Sequence, residues 1–220
     1  MGYTNSPLAT YKNISKNKTA NRNHAIDTIT IHCFVGQVTA KQGCDFFAST
    51  PKECSANYVV GFDGSIGLSV EEKDRSWCSS NRENDMRAIT IEVASETSEP
   101  YSVTEKAYNS LIKLLVDVCK RNNIKLLLWR NDKSLIGQVN KQNMTVHRWF
   151  ANKSCPGTYL FNKMGEIADA VNAELNNETQ KTNRTIYRVQ VGAFSVYENA
   201  VKLCDDLKSK GYESFIVEVK

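Results

Sequence analysis

Short β-branched runs and helically spaced apolar positions divide the chain into a series of elements. Thr28-Ile-Thr-Ile-His-Cys-Phe predicts a core strand. Asn57-Tyr-Val-Val-Gly-Phe and Ser65-Ile-Gly-Leu-Ser-Val flank Asp63-Gly64, a pair suited to a tight turn, and together predict a hairpin. Arg87-Ala-Ile-Thr-Ile-Glu-Val-Ala predicts a further central strand, and Ile124 to Trp129 another. Ala107, Leu111, Leu114, Leu115 and Val118 recur at helical spacing, and Ser102-x-x-Glu105 has the spacing of a capping box at the start of that helix. A second amphipathic helix follows Pro156, with Leu160, Met164, Ile167, Ala168, Val171 and Leu175 on one face. Strands interspersed with helices imply an α/β domain over residues 26–176.

The flanks differ from this pattern. Residues 1–25 are rich in Asn, Lys, Thr and Ser without periodicity, and read as an arm over the domain surface or a partly disordered segment. Residues 177–184 are polar and read as a linker. Residues 185–220 restart with the strand-like Thr185-Ile-Tyr-Arg-Val-Gln-Val-Gly. A helix from Glu198 to Lys210 follows, stopped by Gly211, and Ser214-Phe-Ile-Val-Glu-Val is a last strand. This β-α-β unit is smaller than most domains that fold alone.

Composition narrows the class. The 220 residues are 41% hydrophobic and 24% charged with a net charge of +4, which describes a soluble globular chain. That charge suits an anionic envelope polymer and is too weak to argue for nucleic acid. No run approaches the roughly 18 apolar residues of a membrane span, and the polar N-terminus has no apolar core of the secretory type, so synthesis in the cytoplasm without a signal peptide is expected. Seven cysteines, an odd number, argue against a disulfide framework.

Three histidines occur, and two of them stand where a metal site would want them. His32 ends the strand Thr-Ile-Thr-Ile-His. His147 follows Met-Thr-Val and precedes Cys155 by eight residues, and Cys155 stands directly before Pro156-Gly157 at a helix start. Two imidazoles and one thiolate leave a fourth position for water, the catalytic pattern for zinc. Spacing alone leaves the alternative open, since a His ending a strand is commonly a satisfied core residue. His24, in the polar arm, reads as a surface residue.

Four motifs, Ile-Thr-Ile-His32, Ser55-Ala-Asn-Tyr-Val-Val-Gly-Phe-Asp-Gly, Ile89-Thr-Ile-Glu92 and His147-x7-Cys155-Pro-Gly, occur in the order seen in type-2 N-acetylmuramoyl-L-alanine amidases. Residues 26–175 resemble this superfamily, which includes phage amidase lysins and the peptidoglycan recognition proteins. The resemblance implies an α/β fold with a central mixed β-sheet flanked by helices. It also implies Zn2+ held by His32, His147 and Cys155 in a groove, and cleavage of peptidoglycan between N-acetylmuramic acid and L-alanine. Glu92 matches the strand-borne acid/base of some members. Other members use a Tyr one position before the hairpin Asn or His, and the matching residue here is Ala56, which leaves more weight on Glu92. Tyr58 points to the opposite side and reads as core. Lys153 matches a Lys that stabilises the oxyanion in phage-type amidases, and Trp77 resembles an aromatic of the groove wall. Arg148, Trp149 and Asn152 line the groove or pack the loop.

Residues 187–220 resemble the first half of a SPOR domain, a module that binds glycan strands lacking stem peptides. The absent second half leaves three readings: a truncated unit, a homodimer in which two copies complete one another, or a tail mostly disordered alone. The principal rival function is a peptidoglycan-binding module without catalysis, which is disfavoured because the full ligand set is present. A nucleic-acid binder is disfavoured because Lys and Arg are scattered. Without a signal peptide, the chain reads as an endolysin or autolysin that reaches the cell wall on lysis.

Overall fold

In a computed structural model of the chain, the backbone is described for residues 2–182 and 189–218. Contacts divide the chain into two units, Met1–Lys181 and Thr182–Lys220. The first unit contains strands β1 (Tyr11–Lys12), β2 (Lys18–Thr19), β3 (Thr28–Cys33), β4 (Tyr58–Val60) and β5 (Ile66–Leu68). It continues with β6 (Arg75–Ser76), β7 (Ala88–Val93) and β8 (Met144–Val146). Its helices are α1 (Ala40–Ser49), α2 (Arg82–Arg87), α3 (Glu105–Arg121) and α4 (Gly157–Thr182). The second unit contains α5 (Tyr197–Ser209).

Six strands form one mixed sheet in the order β1-β5-β4-β7-β3-β8. β4, β7, β3 and β8 are parallel neighbours, and β5 turns back antiparallel on β4 as the expected hairpin. Alternation along β3 and β7 sends Ile29, Ile31, Ile89 and Ile91 into the main core, where they meet Leu111, Leu114 and Leu115 of α3 and Leu160, Met164 and Ile167 of α4. At about 25 cal/mol per Å2 of apolar surface, such burial is the principal source of stability. On the other side α1 seats Cys44 and Phe47 against Ala56 and Val59. A Cβ on Gly43 would stand 2.6 Å from a Val59 methyl, so α1 reaches β4 this closely only with glycine there.

Several elements depart from the sequence reading. α3 is capped by Thr104, whose hydroxyl accepts from the Ala107 amide, and Ser102 and Glu105 form no box. The capping box in this fold joins Thr39 and Gln42 at the start of α1, a helix whose weak apolar pattern gave no signal. Residues 124–129 form no strand. Side-chain amides take the place of a partner strand: Asn172 accepts from the Leu127 N–H at 2.8 Å and donates to its carbonyl at 2.8 Å. Asn143 treats the Leu128 N–H and the Leu126 carbonyl in the same way.

Residues 2–25 belong to the fold. β1 extends the main sheet beside β5, β2 pairs with β6, and Ser6, Ser15, Asn17 and Arg22 are buried. α4 runs on to Thr182 through most of the polar segment expected to be a linker, because Glu, Gln and Lys are good helix formers and nothing there stops the helix. In the second unit α5 closes at Gly211, whose φ of +83° suits a helix stop. Of the two strands expected around α5, residues 185–188 and Val219 lie outside the described residues, and the described parts carry no strand. Neither segment has a ladder partner there, and Val189 and Phe215 are exposed. Among the described residues no helix is long and apolar enough to cross a membrane.

Candidate metal centre and cleft

The alternation that buries the isoleucines turns Thr30, His32, Thr90 and Glu92 to the opposite face of the sheet. The parallel register then sets His32 beside Glu92 at the ends of β3 and β7. β8 lies along the other side of β3, and its last residue, Val146, delivers His147 into a tight 3-10 turn (His147–Trp149). The Arg148 amide donates to the Cys155 carbonyl at 3.1 Å. The Arg148 guanidinium donates to the Ser154 carbonyl and lies 4.5 Å from the Phe161 ring centre. These bonds fold the loop back on itself and return Cys155 to the end of β3.

Cys155 Sγ consequently stands 3.3 Å from His32 Nδ1. The His32 and His147 rings meet edge to face with centres 5.1 Å apart. One ligand atom from each of His32, His147 and Cys155 lies within 4.8 Å of the others, and His32, Cys78 and Glu92 form a second such group. The donor set suits zinc, and the surroundings fit a cation. His32 Nε2 is buried without a hydrogen-bond partner. Burial and then His147 hold the His32 imidazole well below its ordinary range, while burial and then Lys153 depress His147. Both rings are thus held neutral, the form that ligates a metal. A hydrogen bond with Cys33, and then burial, push the Cys155 thiol up, so a cation must displace its proton.

Glu92 Oε2 is also buried without a partner, while Oε1 receives the Cys78 thiol at 3.8 Å. Burial and then the neighbouring Cys33 push the Glu92 carboxyl well above the usual range. A cleft of about 370 Å3 opens here, lined by Glu92, His147, Trp77, Phe34 and Cys54 among others. Trp77 is fixed in that wall by its indole N–H, which donates to Thr19 Oγ1 at 3.0 Å. Phe34, Phe46 and Phe47 pack edge to face beside it with ring centres 5.4–5.6 Å apart.

The structure thus brings His32, His147, Cys155, Glu92 and Trp77 to one place. Lys153 is exposed on the loop before Cys155, near enough for its charge to act on His147, and does not line the cleft. Ala56 is buried under α1. Tyr58 is core as expected, its hydroxyl donating to Glu72 at 2.6 Å and accepting from the Ser6 amide at 2.7 Å. Trp149 packs the loop, stacked on Trp129 at 5.0 Å. Cys33, Cys54, Cys78 and Ser80 border the site without any sequence signal, since only the fold gathers them.

The fold has known counterparts. AmpD, solved as a selenomethionine derivative, is 16% identical with a TM-score of 0.56, and the match covers 76% of this chain and 99% of that one. PlyL is 15% identical with a TM-score of 0.52, covering 75% and 95%. The endolysin N-acetylmuramoyl-L-alanine amidase LysCS from Clostridium intestinale is 17% identical with a TM-score of 0.51, covering 76% and 97%. Among curated proteins none matches. Residues 163–218 match the SPOR domain family model, whose span begins inside α4. Residues 22–158, more than half of the chain, match the N-acetylmuramoyl-L-alanine amidase model, and the chain belongs to that family.

Proposed function

We propose that the protein is a zinc-dependent N-acetylmuramoyl-L-alanine amidase that cuts bacterial peptidoglycan between N-acetylmuramic acid and L-alanine. The observation that carries this reading is the meeting of His32, His147 and Cys155 beside the buried, unpartnered Glu92 carboxyl oxygen. Zinc held by these three ligands would supply Lewis acidity, bringing the pKa of a water near ~7 and polarising the scissile carbonyl. Glu92, at the end of β7, takes the proton of the attacking water and returns it to the departing amide nitrogen. Lys153 places a cation near His147, and a cation aimed at the developing oxyanion contributes on the order of 10²–10³ in rate. Trp77 offers a flat apolar wall for a sugar face or stem-peptide methyl.

The SPOR family match supports attachment of the C-terminal region to glycan strands. Together the two regions suit action on the cell wall, as an endolysin or an autolysin. A binding module without catalysis would have no use for a complete ligand set beside a buried carboxyl. The test is digestion of purified peptidoglycan followed by mass spectrometry. The expected products are stem peptides with a free L-alanine amine and glycan with intact muramic acid. Other products, or none, would overturn the reading.

A further inference from the structure

The loop Cys78–Ser80 touches two residues of the proposed site at once. Ser80 Oγ lies 3.1 Å from His147 Nε2, and the Cys78 thiol donates to Glu92 Oε1 at 3.8 Å. The loop is itself clamped from below. The buried Asp85 carboxylate of α2 accepts from the Cys78 amide at 3.0 Å and from the Ser79 amide at 3.2 Å. Asp85 is held in turn, because Arg22 donates to its carbonyl at 2.6 Å. Ser80 has a φ of +61°, a left-handed backbone that a non-glycine residue keeps only where its surroundings enforce it.

We infer that Cys78 and Ser80 are positioning residues, and that this Asp85-clamped loop orients His147 and Glu92 together. The inference rests on the amidase reading of the site. With His147 Nε2–H donating to the Ser80 hydroxyl, the lone pair of Nδ1 is left for a metal and the ring plane is fixed, as by the outer partners of metal-ligating histidines. The thiol on Glu92 Oε1 occupies one carboxyl oxygen and leaves Oε2, which has no other partner, for the proton transfer. Because both contacts issue from three consecutive residues, a shift of the loop moves the ligand and the acid/base together.

The test uses the full chain and four variants: Ser80→Ala, Ser80→Gly, Cys78→Ala and Cys78→Ser. Zinc affinity is measured by competition with a chromogenic chelator, and kcat and KM on a soluble muropeptide at saturating zinc. Ser80→Ala and Ser80→Gly should both weaken zinc binding about 10–100-fold, the usual effect of removing an outer partner. Glycine relieves the backbone without restoring the hydroxyl, so equal losses assign the effect to the hydroxyl. Cys78→Ala should leave zinc affinity intact and lower kcat about 10-fold at unchanged KM, through a misaimed carboxylate. Cys78→Ser should recover most of that loss. Wild-type zinc affinity in both Ser80 variants, or wild-type kcat in Cys78→Ala, would overturn the inference and leave the amidase reading standing. A wild-type chain that neither binds zinc nor cuts the muropeptide would overturn both.

Discussion

His32 and Glu92 are direct register partners on neighbouring parallel strands, so their side chains leave the same face of the sheet together. Parallel pairing with all of the flanking isoleucines committed to the core admits no slip of one residue. The sheet thereby fixes the spacing between a proposed metal ligand and the proposed acid/base before any loop contributes.

The chain is expected to carry one zinc ion. Metal analysis of purified protein should find one equivalent, and a strong chelator should abolish wall lysis. Cys155→Ala removes the thiolate and should lose the metal, because two imidazoles alone hold zinc weakly. Full lysis by metal-free protein would contradict the mechanism.

Glu92→Gln keeps the shape of the side chain and removes its ability to carry a proton. Zinc content should be unchanged, and kcat should fall on the order of 10²-fold or more. A near-normal rate would mean that another group carries the proton.

Away from the site, Glu72 holds a buried network. Its carboxylate accepts from Tyr58 at 2.6 Å, from Arg121 at 2.6 Å and from Asn122 at 3.1 Å. Glu72→Ala leaves the buried Tyr58 hydroxyl without its acceptor and removes one of the two carboxylates on Arg121, which keeps Asp117, and should cost about 1–3 kcal/mol. Urea unfolding followed by circular dichroism should show a loss of that size. A loss under 1 kcal/mol would indicate that water replaces the carboxylate.

Asn172 stands in for a missing strand at Leu127. Asn172→Leu leaves one buried N–H and one carbonyl unpaired, at about 1–3 kcal/mol each. The same unfolding measurement checks this, and hydrogen exchange at the Leu127 amide should accelerate. An unchanged exchange rate would show that the amide is held by other means.

Deletions separate the two ends of the chain. Removal of residues 183–220 should leave hydrolysis of soluble muropeptides intact and weaken binding to whole walls, since every proposed catalytic residue lies in the first unit. Removal of residues 1–25 should destabilise that unit, because it strips β1, β2 and the buried Arg22. Activity retained without residues 1–25, or lost without residues 183–220, would refute this assignment.

The sequence by itself determined the strands that carry His32 and Glu92, the β4–β5 hairpin, and the apolar faces of α3 and α4. These are local patterns: a period of two or of 3.6 residues is written into consecutive positions and survives without knowledge of the rest of the chain. Only the tertiary structure decided that Tyr11–Lys12 extends the main sheet and Lys18–Thr19 pairs with β6, since a polar segment pairs through its backbone and leaves no hydrophobic signature. It also decided that residues 124–129 bond to Asn143 and Asn172 in place of a strand, because the deciding amides lie 15 to 45 residues away in the chain. The gathering of Cys78, Ser80 and Asp85 around the site belongs to the same category. Their chemistry comes from burial and from partners brought close by folding, and neither quantity exists in the chain until the sheet has formed.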